Sequence, residues 1–210
     1  MPLGNEPAKI LQQKMHYQGR KFSFNVDRIE LPNGVIGEWE SIRHPGGALA
    51  VPITPDGKLV LVKQYRFPTQ GWVLEFPAGT LEVGEDPATT IAREIAEETG
   101  YRAGKWLNLG EFFLAPGYCD EIIYAFLAMD LEKLEIQPPG DDDEDISVVL
   151  MNQTEFETAI HSGEPIDAKS IAAYFLARKF FFNQDVIFNQ STYREIRSIL
   201  YFLPISLIFH

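Results

Sequence analysis

The sequence predicts an α+β fold: a mixed sheet held between helices, preceded by an antiparallel β arm. Three observations predict it. Runs of β-forming residues separated by Pro, Asn and Gly turns fill the first third of the chain. One amphipathic stretch between Asp86 and Gly100 has helical spacing, and two more helical stretches follow beyond residue 153. At 210 residues and 45% hydrophobic, the chain can bury one good core with a small appendage.

Residues 1–45 read as the β arm. Phe22, Phe24 and Val26 alternate, and Pro32-Asn33-Gly34 marks a turn before a second strand through Trp39 and Ile42. Residues 46–182 read as the main domain. Ala48–Ile53 and Lys58–Tyr65 are expected to pair as a hairpin across Pro55-Asp56-Gly57. A strand over Trp72–Phe76 leads into the first helix, and strands near Trp106–Leu114, Glu121–Leu131 and Ile146–Leu150 follow it. Helices are expected over Thr154–His161, stopped by Gly163, and over Asp167–Phe181, capped by Asp167. Residues 183–210 form an apolar tail of no assigned role, and no internal repeat is present.

The first helix carries the chemistry. Asp86 can cap it and Pro87 suits its first position; Gly100 is free to take the left-handed conformation that ends it. Ala88, Ile91, Ala92, Ile95, Ala96 and Thr99 recur every three or four residues, which predicts a buried stripe. Glu94, Glu97 and Glu98 are expected on the opposite arc, with Glu94 and Glu98 one turn apart. An acidic helix face is ordinarily just solvated, and like charges at this spacing disfavour a helix by a few tenths of a kcal/mol, about 0.2–0.5 per pair. The embedded Arg93, the distant Glu85 and Gly79 are not explained by solvation. Clustered carboxylates on a rigid helix suit a hard divalent cation, and an arginine among them can fix their rotamers.

From Gly79 to Tyr101 the spacing is G-x5-E-x7-R-E-U-x-E-E-x-G-U, where U is a bulky apolar residue. This run resembles the Nudix box; Tyr101 departs from it only in being aromatic rather than aliphatic. The resemblance covers about residues 15–180 and implies a Nudix-type α/β/α sandwich that hydrolyses nucleoside diphosphates linked to another group. Gly19-Arg20, His44-Pro45-Gly46, Gln64-Tyr65-Arg66, Glu75-Phe-Pro-Ala-Gly79 and Pro116 within P-G-x-x-D-E are similar to the ADP-ribose pyrophosphatase branch. Tyr118 points instead toward dinucleoside polyphosphates. By this resemblance Glu94, Glu98 and the Ala78 carbonyl would hold Mg2+ (or Mn2+ as a substitute), with Glu97 helping to bind a second ion. Gly79, Glu85 and Arg93 would support them. Arg66 would meet substrate phosphate and Glu121 the adenosine half, beside Pro116; Trp39 and the arm's phenylalanines could offer an aromatic face. Glu144, in the acidic loop Pro138–Asp145, would activate water, with Glu97 or Glu98 as the competing base.

The implied reaction converts ADP-ribose to AMP and ribose 5-phosphate. Another nucleotide-sugar, a dinucleoside polyphosphate, or a module that binds ADP-ribose without cutting it are the alternatives. The net charge of −12 argues against nucleic acid as a partner. A single cysteine, Cys119, precludes an intrachain disulfide and suits a reducing cytoplasm; it reads as a small loop side chain. No leader segment is expected, and the run from Ile199 to Phe209 is too short to span a bilayer and is interrupted by Pro204. The arm has too few residues for its own core, so a homodimer is expected, with the arm shaping the partner's adenosine pocket.

Overall fold

The computed structural model describes residues 7–140 and 145–181. Ten strands and three α-helices make up this part. The arm is a meander of β1 (Lys9–Gln18), β2 (Ser23–Glu30) and β3 (Ile36–Arg43), antiparallel throughout. Gly34 takes a φ of 83° in the turn between β2 and β3. The alternation in β2 is real, but Ser23, Asn25 and Asp27 are its buried set, whereas Phe24 and Val26 are half-exposed. Tyr17, Phe24 and Ile42 stand in register on that other face, next to Met15 and Val26. The arm therefore shows its more apolar side to solvent.

Behind the arm lie two sheets. One has the order β7 (Ala78–Thr80), β4 (Gly47–Pro52), β9 (Ile122–Lys133), β8 (Tyr101–Phe113). Its β4–β9 pair is parallel and its other pairs are antiparallel, so this is the mixed sheet. The second sheet has the order β10 (Ile146–Met151), β5 (Leu59–Arg66), β6 (Gly71–Glu75). The expected hairpin of β4 and β5 does not form. The turn is present, with the Gly57 amide donating to the Thr54 carbonyl at 2.9 Å, but past the single Ile53–Leu59 bridge the two strands join different sheets. The reason lies in β4 itself, which is buried along its whole length. A strand apolar on both faces is a central strand, and its two edges are already taken by β7 and β9.

Helices cover both faces. Ala48 and Ala50 point into a cluster with Ile91 and Ile95 of α1 (Pro87–Glu94) and its extension, alongside Phe126. Leu49 and Val51 point the other way, into a cluster with Phe76, Phe156 of α2 (Gln153–Ser162) and Tyr174 of α3 (Ala168–Arg178). This is the α/β/α sandwich. Small alanines on the α1 side let that helix sit close to β4 and β7. Among the described residues, no helix is long and apolar enough to cross a membrane.

The helix signals are met in detail. The Asp86 carboxylate accepts from the Thr89 amide at 3.2 Å, and Gly100 ends the helix at φ 67°. The interior differs from expectation in two ways. After Glu94 the α-helix widens into a π-helical turn over Ile95–Thr99, a local insertion often found at functional sites. Moreover, only Ile91, Ile95 and Thr99 of the predicted stripe are fully buried, Ala96 is half-buried, and Ala88 and Ala92 are exposed. Thr90 and Glu98 are buried in their place. The acidic line is thus not opposite the apolar line but adjacent to it, turned toward β7.

Candidate active site

Strand β7 and the box helix build the centre of the site together. The Ala78 amide donates to Oε2 of Glu98 at 3.2 Å, although Glu98 is only 7% exposed. At Gly79 a β-carbon would stand 2.0 Å from Oε1 of Glu94, so a side chain there would displace that carboxylate. Glycine is what allows the helix to lay Glu94 against the strand. Arg93 then gathers the acids: Nη1 lies 2.9 Å from both Glu94 and Glu97, and Nε lies 4.0 Å from Glu85. Partial burial works against the Arg93 charge, but these carboxylates outweigh it and raise its pKa. The Glu85 pKa is lowered by bonds from the Glu82 amide and Thr90.

Among the described residues no three His, Cys, Asp or Glu side chains are gathered closely enough to hold a metal ion unaided. The chemistry of the donor set nevertheless fits one. The carboxylates of Glu94, Glu97 and Glu98, gathered by Arg93 and by the Ala78 amide, would supply only hard oxygen ligands. The close approach over Gly79 forms the cradle for them.

The site opens into a cleft of about 1600 Å³, above the range of about 300–1,000 Å³ typical for small-ligand pockets. In a chain with a net charge of −12, six of its 18 Lys and Arg line this cleft: Arg20, Lys21, Arg43, Arg66, Arg93 and Lys169. The lining also holds five acids, Glu75, Glu82, Glu94, Glu121 and Asp167, and Arg66, Arg93 and Lys169 are paired with members of that set, so the cleft is mixed in charge rather than positive.

Arg66, at the end of β5, forms a bidentate pair with Glu75 of β6, at 2.6 and 2.7 Å. Burial alone would raise the Glu75 pKa, but Arg66 and Lys169 together bring it down to about 2. Lys169 in the first turn of α3 also bonds Asp167, the α3 cap. Burial raises the Asp167 pKa despite that contact.

On the far wall, the Pro116–Glu121 loop is tied to the arm. The Ile42 amide donates to the Tyr118 carbonyl at 2.7 Å, Asp120 accepts from Arg43 and from the His44 amide, and Glu121 lies 3.5 Å from His44 Nδ1. Glu121 lines the cleft, whereas its neighbour Asp120 is spent on holding the arm. Burial pushes the Cys119 thiol pKa up, so it carries no activated thiolate.

Ala78, Gly79, Arg93 and Glu94 are thus brought together at the cleft, with Glu85, Glu97 and Glu98 bonded in behind them, and Arg66 and Glu121 line its walls. Pro116 is exposed in its turn and is not among the cleft-lining residues. Trp39 likewise lies away from the cleft, its ring packed over Gly37. Glu144 falls outside the described residues. Phe22 of the arm lines the cleft, as an aromatic face from the arm would; the ion pair of Glu75 and Lys169 and the lining ring of Trp72 were not singled out from the sequence. For Glu75 a signal existed, a lone acid inside an apolar strand; for Lys169 there was none.

A NUDIX domain family model matches residues 43–174, and the chain belongs to this family, that of the Nudix hydrolases. Among its relatives, the ADP-ribose pyrophosphatase of Bacillus subtilis (strain 168) is 37% identical over 165 residues, 79% of this chain and 89% of that protein. The methanol dehydrogenase activator of Bacillus methanolicus is 38% identical over 165 residues, with the same shares. A crystal structure of an ADP compounds hydrolase matches the fold with a TM-score of 0.73, covering 86% of this chain and 97% of that one at 24% identity.

Proposed function

We propose that the chain hydrolyses the diphosphate of ADP-ribose with bound Mg2+, releasing AMP and ribose 5-phosphate. The observation that carries this reading is the set of Glu94, Glu97 and Glu98 held by Arg93 against Ala78 and Gly79, on the edge of a large cleft that Arg66 also lines. Relatives named ADP-ribose pyrophosphatase in Bacillus subtilis and Mycobacterium tuberculosis support the choice of substrate. Nudix hydrolases generally use divalent metals, and the oxygen-only donor set supports Mg2+ here, with Mn2+ as a substitute.

In this reading Glu94 and Glu98, with Ala78, hold the cation, and Glu97 assists a second one. The bound metal supplies Lewis-acid stabilisation of charge on the phosphate oxygens. Arg66 directs its remaining N–H groups at the substrate phosphate, for which a planar guanidinium suits. Glu121 orients the adenosine half. Glu144 takes a proton as the water oxygen bonds to one phosphorus and the bridging P–O bond breaks; the leaving phosphate keeps that electron pair. A residue that binds metal has its proton affinity lowered, which disfavours Glu97 and Glu98 as the base.

The protein acts as a cytoplasmic homodimer in this account. Exposed Met15 and Tyr17, in register with Val26, Phe24 and Ile42, give the arm an apolar face suited to a second copy, where it would shape the partner's adenosine pocket. Light scattering at micromolar concentration should give twice the chain mass; a fully active monomer refutes the assembly. The substrate is tested by product analysis on ADP-ribose, ADP-glucose, diadenosine polyphosphates and NADH, with Mg2+ and with chelator. AMP and ribose 5-phosphate from ADP-ribose, in the presence of Mg2+ only, are expected; metal-dependent turnover of another member of the panel alone refutes the substrate.

A further inference from the structure

We infer that Lys169 is a positioning residue for Arg66, acting through Glu75, so that the first turn of α3 sets the direction of the cleft's phosphate-facing arginine. The inference rests on the proposed role of Arg66 in the reading above.

Arg66 and Glu75 lie on one face of the β5–β6 pair, where Gly71 stands opposite Arg66 and Val62 opposite Glu75. The arginine side chain is laid back along the sheet to reach the carboxylate. Its Nε and Nη2 are used in that pair, leaving Nη1 with no bond to Glu75. The Arg66 side chain is 39% exposed, while Glu75 beneath it is 3% exposed. The guanidinium therefore meets the cleft with one edge and its buried counter-ion with the other.

A carboxylate that deeply buried needs more than one half-exposed partner. Lys169 supplies the second cation, on Oε2 of Glu75, and is itself held by Asp167. Neighbouring bonds fix the lysine's own backbone. Ser170 Oγ accepts from the Phe76 amide at 2.8 Å, and the Leu74 amide donates to the Pro165 carbonyl at 2.8 Å. The chain thus runs from a fixed helix turn, through Lys169 and Glu75, to Arg66. Lys169 cannot serve as the phosphate ligand itself, since its ammonium is buried and committed to two carboxylates.

The test is a double-mutant cycle on ADP-ribose hydrolysis. Removing Lys169 alone would strand Asp167, so the first variant pairs Lys169→Met with Asp167→Asn, which keeps a good helix cap. With Arg66 present, KM should rise about tenfold and kcat change less than about threefold, the pattern of lost binding rather than lost chemistry. With Arg66→Ala already made, the same pair should change KM less than about twofold. Equal losses in both backgrounds, or no loss from Arg66→Ala, overturn the inference. Lys169→Gln paired with Asp167→Asn gives the same comparison should the first pair not fold. If the wild-type chain leaves ADP-ribose intact, that failure belongs to the substrate assignment, and the cycle is read on whichever nucleoside diphosphate of the panel is cleaved.

Discussion

Gly79 and Glu94 are in such close contact that a β-carbon on the glycine would lie 2.0 Å from the carboxylate oxygen and 2.4 Å from Cγ. A three-residue strand and the box helix meet there with only the Glu94 side chain between them. Gly79→Ala should push Glu94 out of place while the strand stays put, because the clash is with a side chain and not with backbone. A misplacement of about 1 Å can cost on the order of a hundredfold in rate. Mg2+ should be needed at higher concentration, with little change in melting temperature. Wild-type metal dependence in Gly79→Ala would show that the contact is incidental.

A pH dependence follows from Glu75. Its pKa falls from the ordinary 4.5 to about 2 in the folded chain. A depressed carboxylate stabilises the fold above the unfolded value, so the contribution is complete above pH 4.5, declines below it, and is gone near pH 2. The size is on the order of 3 kcal/mol, from about 1.4 per pKa unit. Urea midpoints at pH 7 and pH 3 should therefore diverge more for the wild type than for Glu75→Gln. An identical pH dependence in the two would mean that the Arg66 and Lys169 pairs do not hold the charge.

The box helix was legible because its signals are local. Asp86, Pro87 and Gly100 mark its ends by chemistry that needs no tertiary context, and the acidic spacing has few other uses. The π-helical turn over Ile95–Thr99 was not legible, since no residue type distinguishes it from an α-helical turn. The turn at Gly57 was read correctly, but its strands were wrongly paired. Ala48–Val51 is apolar on both faces, a pattern that marks a central strand and that the turn signal overrode. Lys169 was invisible for a different reason: its partner Glu75 is 94 positions away, and only the approach of the first turn of α3 to the end of β6 joins them. Glu98 showed as an exposed acid in the periodicity because the helix was assumed to pack by its apolar line alone.

The acidic loop offers a test of the base. Glu144→Gln should lower kcat by about two to four orders of magnitude, the scale of general-base catalysis. Asn at Asp141, Asp142 or Asp143 should have small effects. Metal affinity should be unchanged in all four variants, since the box ligands are intact. If Glu144→Gln instead resembles its neighbours and Glu97→Gln shows the large loss with metal bound, the base lies on the helix.

The central claim is that the box carboxylates hold the Mg2+ with which the diphosphate is cleaved, and Glu98→Gln tests it most directly. The substitution keeps the size of a buried side chain that accepts from the Ala78 amide, and removes its charge. AMP release from ADP-ribose, measured across a Mg2+ titration beside a thermal melt, should show a loss of at least about a hundredfold in kcat with the fold retained. Turnover equal to wild type at the same Mg2+ concentration would contradict the account.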